Sequence, residues 1–169
     1  MTDLLFVCTA NICRSAYAEV RTAMLAPALS VGSAGVQGWV DKAMDAPMAA
    51  ELTARGGDPS AFRSRRLTIP MLRGARLVLT AEARHRSVIL DDLPATHARA
   101  FTLGQFAALV REAPDGVRGD GLVAWAASLR RPVDARLDIP DPYRRGPEAA
   151  ARAAALIDEH LAVVLPLLT

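Results

Sequence analysis

Cysteine is scarce in this chain of 169 residues, which contains only two, Cys8 and Cys13. So few cysteines argue against a disulfide framework, and the first three residues lack the basic start of a signal peptide. We therefore expect a reducing, cytoplasmic setting. The three histidines stand far apart, without the spacing of Cys, His and Asp that holds a metal, so no metal site is expected.

Long apolar runs and a strong excess of charge are also missing. The apolar segment at residues 161–168 is far shorter than the roughly 18 residues of a membrane-spanning helix, and Pro166 is expected to break it. A net charge of +2 gives no reason to expect a nucleic-acid partner. With 51% hydrophobic and 22% charged residues, the composition is typical of one globular domain spanning residues 1–169.

Short apolar segments alternate with helical patterns along the chain. Four segments, 4–8, 29–33, 76–80 and 98–101, are predicted to be strands. The alternation predicts an α/β fold of three layers, in which a four-stranded parallel sheet carries helices on both faces.

Other expectations concern single residues and one segment. Thr68 and Thr80 are expected to cap the helices that follow them. His85 is expected to be exposed between two arginines, and Trp125 to pack in the core. Residues 131–146 are expected to form an ordered surface loop, and a long helix is expected to begin at Pro147.

The first predicted strand ends at Cys8, where a polar loop begins. Ligands of open α/β sheets bind at the carboxyl ends of such strands. A helix is predicted over residues 16–25, directly after Ser15, so the loop is held between a strand end and a helix start. Inward-facing backbone N–H groups and the positive end of the helix form a cradle of phosphate size. These positive surroundings favour the ionised, nucleophilic form of Cys8.

Three side chains of the loop extend this hypothesis. Arg14 offers a planar fork of donors for two oxygens of an oxyanion. Ser15 can donate its hydroxyl to the Cys8 thiolate, and Asn11 can adopt a left-handed conformation and brace the loop. The alternative interpretation is that Cys8 is a core cysteine with no chemical role.

The segment Cys8-Thr9-Ala10-Asn11-Ile12-Cys13-Arg14-Ser15, followed by Ala18-Glu19, closely resembles the signature of the low-molecular-weight protein tyrosine phosphatases. Ser33-Ala34-Gly35 and Asp141-Pro142-Tyr143 are similar to two further segments of that family. The resemblance implies a phosphatase I-like fold and hydrolysis of phosphomonoesters through a cysteinyl-phosphate. The implied substrate is a phosphotyrosine-containing protein or a small aryl phosphate, with no metal or cofactor.

The resemblance also assigns catalytic roles. Cys8 would be the nucleophile, Arg14 would clamp the transferring group, and Asp141 would be the general acid, with Asp138 as the alternative. The phosphate-binding loop would comprise Thr9, Ala10, Asn11, Ile12, Cys13 and Ser15.

Two aromatic residues and the second cysteine complete the predicted site. Trp39 would form one wall of the substrate pocket, although it can equally be a surface-loop anchor. Tyr143 would offer a ring surface to an aryl leaving group. The resemblance implies a reversible disulfide between Cys8 and Cys13 that protects against overoxidation, and the alternative for Cys13 is packing beneath the loop.

The chain departs from the family pattern at four positions. Ala10 and Ala16 replace a usual glycine and proline, and Ala43 and Phe62 stand where a serine and a histidine often brace the loop. A methyl group at position 10 is acceptable only if that residue avoids positive φ. The departures put turnover and substrate range in question more than fold.

Two other functions remain open at this point. An arsenate reductase on the same scaffold would use the same cradle, because arsenate mimics phosphate, but without downstream cysteines it would need an external thiol. A non-catalytic phosphate-binding module would be consistent with Ala10, Ala43 and Phe62. Against that module stand Cys8 and Asp141, since a binder needs neither a nucleophile nor an acid.

Overall fold

A computed structural model of the chain describes residues 2–129 and 131–168. Four parallel strands form one sheet in the order β2-β1-β3-β4, which confirms the predicted sheet. The strands are β1 (Thr2–Cys8), β2 (Val31–Gly35), β3 (Ala75–Thr80) and β4 (Ala100–Thr102). In the central strand, Leu5 is paired with Gly32 on one side and with Val78 on the other.

Helices cover both faces of the sheet. They are α1 (Arg14–Leu25), α2 (Ala46–Ala54), α3 (Ile69–Gly74), α4 (Ala83–Asp92), α5 (Leu103–Val110), α6 (Gly119–Ser128) and α7 (Pro147–Leu168). Because strand side chains alternate between faces, Leu4 and Phe6 pack with α1, α2, α5, α6 and α7, whereas Leu5 and Val7 pack with α3 and α4. The predicted three-layer α/β architecture is confirmed. Within residues 2–129 and 131–168, no helix combines the length and apolar character needed to cross a membrane.

Two strands begin later than predicted, and the cause lies in the preceding turns. The N–H of Leu29 donates to the carbonyl of Ala26 at 3.0 Å, which closes a turn and delays β2 until Val31. A 3₁₀ helix, Pro94–Arg99, occupies the first residues of the segment predicted as the fourth strand.

The predicted helix ends are confirmed in part. Thr68 caps α3, where its side chain accepts from the N–H of Met71. Thr80 does not cap α4, because β3 continues through Thr80 and Glu82 is the N-cap. Pro166 does not end α7, which runs to Leu168. A proline in the last turn disturbs little of the helix, and the Pro166 carbonyl accepts instead from Arg118 at 2.7 Å.

The expectations for Trp125, for residues 131–146 and for the last helix are confirmed. Trp125 is half-buried and packs against the larger core cluster. Apart from the 3₁₀ turn Ala135–Leu137, residues 131–146 form a loop, and α7 begins at Pro147 as predicted.

The order of the strands brings the carboxyl ends of β1 and β3 together with the starts of α1 and α4 at one edge of the sheet.

Gly104 allows α5 to lie against the segment that leads to Asp141. A Cβ at position 104 would lie 2.1 Å from the carbonyl oxygen of Leu137, whereas a Cβ at Gly121, also in the first turn of its helix, would meet nothing within 4 Å. We expect Gly104→Ala to lower the free energy of unfolding by about 1–3 kcal/mol. Gly121→Ala should leave it unchanged or raise it by up to about 1 kcal/mol. Urea unfolding of both variants checks this, and equal stabilities would contradict it.

Candidate active site

The loop that joins β1 to α1 turns its carbonyl groups outwards. Four of its carbonyl oxygens accept hydrogen bonds of 2.8–3.3 Å from backbone N–H groups of residues 36–45. The pairs are Cys8 with Val36, Thr9 with Gln37, Ala10 with Trp39, and Ile12 with Asp45. In a trans peptide the C=O and the following N–H point in opposite directions, so the intervening N–H groups face inwards. The loop therefore has the polarity of an anion cradle.

Asn11 fixes the curvature of this loop. Its φ is +59°, and its buried side chain forms hydrogen bonds in three directions. Nδ2 donates to Ser15 Oγ at 2.9 Å and to Ser33 Oγ at 2.7 Å, while Oδ1 accepts from the N–H of Arg65 at 2.8 Å. Ala10 is not among the described residues with positive φ, so its methyl group is accommodated without backbone strain.

The structure corrects one of the expected departures, at Ala43, and leaves the other, at Phe62, in place. The serine that braces the loop is Ser33, which holds Asn11 and donates to the Glu19 carboxylate, whereas Ala43 lies on the surface. Phe62 is buried in the larger core cluster, and the bracing on that side comes from the backbone of Arg65. The loop is thus supported by other polar groups than the sequence indicated.

Cys8 lies at the base of the cradle, in contact with Ser15. Its Sγ is 2.9 Å from Ser15 Oγ, and both side chains are buried. Ser15 Oγ accepts from Asn11, and its one proton has two possible acceptors, the sulfur at 2.9 Å and the Ala34 carbonyl oxygen at 3.5 Å, of which the sulfur is the nearer. This arrangement stabilises negative charge on Cys8 and matches the contact that the sequence predicted.

Arg14 is 2% exposed and is fixed by groups from two distant segments. One terminal nitrogen donates to the Glu82 carboxylate and, at 2.8 Å, to the Ile139 carbonyl, while the other lies 3.3 Å from Asp141 Oδ1. Burial alone would raise the pKa of Glu82, but hydrogen bonds from Arg84 and Arg14 outweigh it and hold the pKa at about 2. In the part of the chain that the structure describes, the buried Nε of Arg14 has no partner.

Above the loop is a cavity of about 210 Å³. It is lined by Cys8, Thr9, Ala10, Ile12, Cys13, Arg14, Gln37, Trp39, Asp141 and Tyr143. The rings of Trp39 and Tyr143 meet edge to face at 5.9 Å, and the guanidinium of Arg144 lies 5.1 Å above the Tyr143 ring. The side chains of Asn11 and Ser15 support the loop from below and do not line the cavity. Gln37, which the sequence analysis missed, is the residue whose N–H binds the Thr9 carbonyl.

The two candidate acids occupy different places. Asp141 lines the cavity, accepts from the N–H of Tyr143 at 3.3 Å and keeps about a third of its side chain exposed. Asp138 instead accepts from the N–H of Ala83 at 2.9 Å, at the first residue of α4. Burial raises the pKa of Asp138, yet its carboxylate is committed to the start of that helix. The geometry favours Asp141 over Asp138.

The expectation that His85 is exposed was wrong. His85 is 1% exposed, and its Nε2 lies 2.9 Å from Thr9 Oγ1. Because α4 begins at Ala83, two residues later than a cap at Thr80 would place it, His85 falls in its first turn and faces the loop. Glu82 and His85 form a reciprocal capping pair three residues apart. A Glu-x-x-His pattern directly after a buried strand was the signal that could have revealed both residues.

Cys13 is a buried free thiol, as is Cys8. Burial, together with the charge of Asp45, raises the pKa of Cys13, and its side chain is hydrogen-bonded to Asp45. Cys13 is therefore held protonated beside Asp45. The disulfide between the two cysteines stays a prediction.

Comparison with known proteins connects this site to a family. The family model described as low molecular weight phosphotyrosine protein phosphatase matches residues 3–120, which include the loop, Glu82 and His85 but not Asp141. The low molecular weight protein-tyrosine-phosphatase Etp of Escherichia coli (strain K12) is 33% identical over 147 residues, which make up 87% of this chain and 81% of Etp.

Solved structures show the same architecture. Vibrio vulnificus Wzb in complex with benzylphosphonate has a TM-score of 0.74 and 26% identity, over 95% of this chain and 94% of Wzb. The YwlE arginine phosphatase from Geobacillus stearothermophilus has a TM-score of 0.75 at 24% identity, over 98% of this chain and 92% of YwlE, a likeness of fold. From the family model and the relationship to Etp, we conclude that the chain belongs to the low molecular weight phosphotyrosine protein phosphatase family.

Proposed function

We propose that the chain hydrolyses phosphotyrosine esters through a phosphorylated Cys8. The observation that carries the proposal is that three groups meet in one cavity: the Cys8 thiol supported by Ser15, the guanidinium of Arg14, whose buried Nε has no partner among the described residues, and the carboxylate of Asp141. Each group has a separate task in the transfer of a phosphoryl group. The two buried free thiols of the chain, Cys8 and Cys13, are consistent with a reducing, cytoplasmic setting.

In the first step the Cys8 thiolate attacks phosphorus and the bond to the ester oxygen breaks. Asp141 gives its proton to the departing oxygen, while Arg14 and the inward N–H groups hold the three other oxygens. In the second step water attacks the cysteinyl-phosphate and Asp141 accepts a proton from it. The sulfur–phosphorus bond breaks, and Ser15 stabilises the released thiolate.

The walls of the cavity support an aryl group beside the phosphate. Trp39 and Tyr143 present flat rings, and Ile12 adds apolar surface. An arginine phosphatase and phosphatases named for tyrosine share this fold, so the fold by itself does not select between the two substrates. A phosphoarginine guanidinium would need several acceptors, whereas Asp141 provides the one carboxylate among the residues that line this cavity. The lining therefore favours a phosphotyrosine-containing protein or a small aryl phosphate.

The two alternative functions receive no support from the site. Two reasons for suspecting a non-catalytic binder were Ala10 and Ala43, but Ala10 fits the loop and Ser33 supplies the bracing hydroxyl. An arsenate reductase would need an external thiol, because the sequence has no cysteine beyond Cys13. Nothing in the cavity indicates such a partner.

His85 has a positioning role in this proposal. Its Nδ1 accepts from the N–H of Glu82 at 3.2 Å, so in the neutral ring the proton is on Nε2, which donates to Thr9 Oγ1. Burial, reinforced by the charge of Arg14, lowers the pKa of His85 to about 4. The neutral ring therefore ties α4 to the second residue of the loop.

Cys8→Ser should reduce kcat/KM for 4-nitrophenyl phosphate by at least about 10³-fold, because a serine hydroxyl is not ionised at neutral pH. The variant should still be stabilised against thermal unfolding by inorganic phosphate, since the loop N–H groups and Arg14 remain. Steady-state kinetics and thermal unfolding with and without phosphate measure both effects. Turnover close to that of the wild type would remove Cys8 from the role of nucleophile.

Asp141→Asn should slow phenyl phosphate by about 10²–10⁴-fold and 4-nitrophenyl phosphate by clearly less, because a basic leaving oxygen depends more on protonation. Asp138→Asn is the matched control. Its loss should be smaller and similar for the two substrates, because Asp138 holds the start of α4. If the dependence on the leaving group appeared in Asp138→Asn instead, the general acid would have to be reassigned.

The buried neutral His85 should make stability depend on pH. Its pKa in the folded chain, about 4, lies below the usual 6.5, so between these values the unfolded chain binds a proton that the folded chain does not. Stability is therefore lost as pH falls from 6.5 to 4. Relative to His85→Gln, the wild type should lose on the order of 3 kcal/mol across this range. Urea unfolding of both proteins at a series of pH values measures this, and parallel curves would contradict it.

A further inference from the structure

Arg144 lies at the mouth of the catalytic cavity without lining it. Its guanidinium is 5.1 Å from the centre of the Tyr143 ring, and Tyr143 is one of the residues that line the cavity. Trp39 meets that ring edge to face and is itself 46% exposed, so this wall of the cavity extends to the protein surface. A chain that leaves the cavity along the aromatic wall would therefore pass the guanidinium.

The backbone at Arg144 has a conformation that arginine rarely adopts. The N–H of Arg145 donates to the carbonyl of Pro142 at 3.0 Å and closes a four-residue turn, in which Arg144 is the third residue with a φ of +57°. A positive φ at this place in a turn favours glycine or asparagine. Strain of this kind is concentrated at functional sites. Here the turn and the contact with Tyr143 together hold the cation beside the cavity.

The charge of Arg144 is not balanced by a carboxylate. The side chain is exposed, and it forms no hydrogen bond or ion pair with the residues that the structure describes. Arg84, another exposed arginine beside the loop, is by contrast paired with Glu82 at 2.6 Å. Asp141, the one carboxylate among the residues that line the cavity, lies 3.3 Å from Arg14. The N–H donors of Arg144 therefore remain available to an acidic group of a bound molecule.

We propose that Arg144 binds an acidic side chain of the substrate, one or two residues from the phosphotyrosine. The inference rests on the proposed function and narrows its substrate class to acidic phosphotyrosine peptides. An extended chain advances about 3.3–3.6 Å per residue, so a neighbouring carboxylate can reach a cation placed just outside the aromatic wall. The planar guanidinium can donate two parallel hydrogen bonds to that carboxylate.

The test compares two phosphotyrosine pentapeptides on the full chain at pH 7 and low ionic strength. In one peptide glutamate flanks the phosphotyrosine on both sides, and in the other glutamine takes both places. The wild type should hydrolyse the glutamate peptide with a kcat/KM higher by about threefold or more, as expected for one partly exposed ion pair. The preference should lie in KM, because a contact remote from phosphorus is made equally in the bound substrate and in the transition state.

Variants test the assignment to Arg144. Arg144→Gln removes the charge, and it should lower the ratio of the two kcat/KM values at least about twofold. Arg73→Gln is the matched control, because Arg73 is an exposed arginine directly before β3, at the opposite edge of the sheet from the site. Its ratio should equal that of the wild type, since solvent and salt screen so distant a charge. Each ratio compares two substrates on one protein, so differences in the amount of folded protein cancel.

The possible failures are distinguishable. The role of Arg144 would be overturned by equal kcat/KM for the two peptides in the wild type, by an unchanged ratio in Arg144→Gln, or by an equal fall in Arg73→Gln. A preference that lies in kcat alone would also overturn it. Hydrolysis of 4-nitrophenyl phosphate without hydrolysis of either peptide would contradict the inference, whereas failure to hydrolyse any of the three substrates would contradict the proposed function itself.

Discussion

The burial of one cation, Arg14, is the constraint on which the site depends. A guanidinium at the end of the sheet is costly unless carboxylates and carbonyls surround it. Glu82 supplies one carboxylate from the turn after β3, and the Ile139 carbonyl and Asp141 approach from the loop before α7. One charge therefore positions three segments that lie far apart in sequence. Asp141, the proposed acid, lies in the same cavity as Cys8 because its carboxylate helps to balance the charge of Arg14.

The loop is organised by the complementary requirement that every buried carbonyl has a donor. Residues 36–45 supply those donors, which leaves the N–H groups of the loop to face the cavity. Asn11 allows the loop to curve in this way, because its backbone adopts a left-handed conformation while its side chain forms hydrogen bonds with three partners. Gly35 is needed for the same reason, since a Cβ there would lie 2.6 Å from the Thr9 carbonyl oxygen. Anion binding is thus a property of backbone direction as much as of side chains.

Neutral and charged groups have separate tasks around this loop. His85, uncharged in the folded chain, supports the loop without adding repulsion to the nearby Arg14. Cys13 stays a protonated thiol beside Asp45, so the two cysteines five residues apart have different chemistry.

The sequence by itself determined the sheet, the loop and the three residues proposed for catalysis, because these depend on local patterns. An apolar run, a Cys-x5-Arg-Ser loop and a helical period lie within residues 4–25, and the Asp-Pro-Tyr segment is local as well. Only the tertiary structure decided the partners. Glu82, His85 and Ser33 lie 22 to 76 residues away in sequence from the loop residues that they contact. Local propensity does not encode such contacts; they arise because parallel strands bring separate turns to one edge of the sheet, where buried charges and hydrogen-bonding groups must be paired.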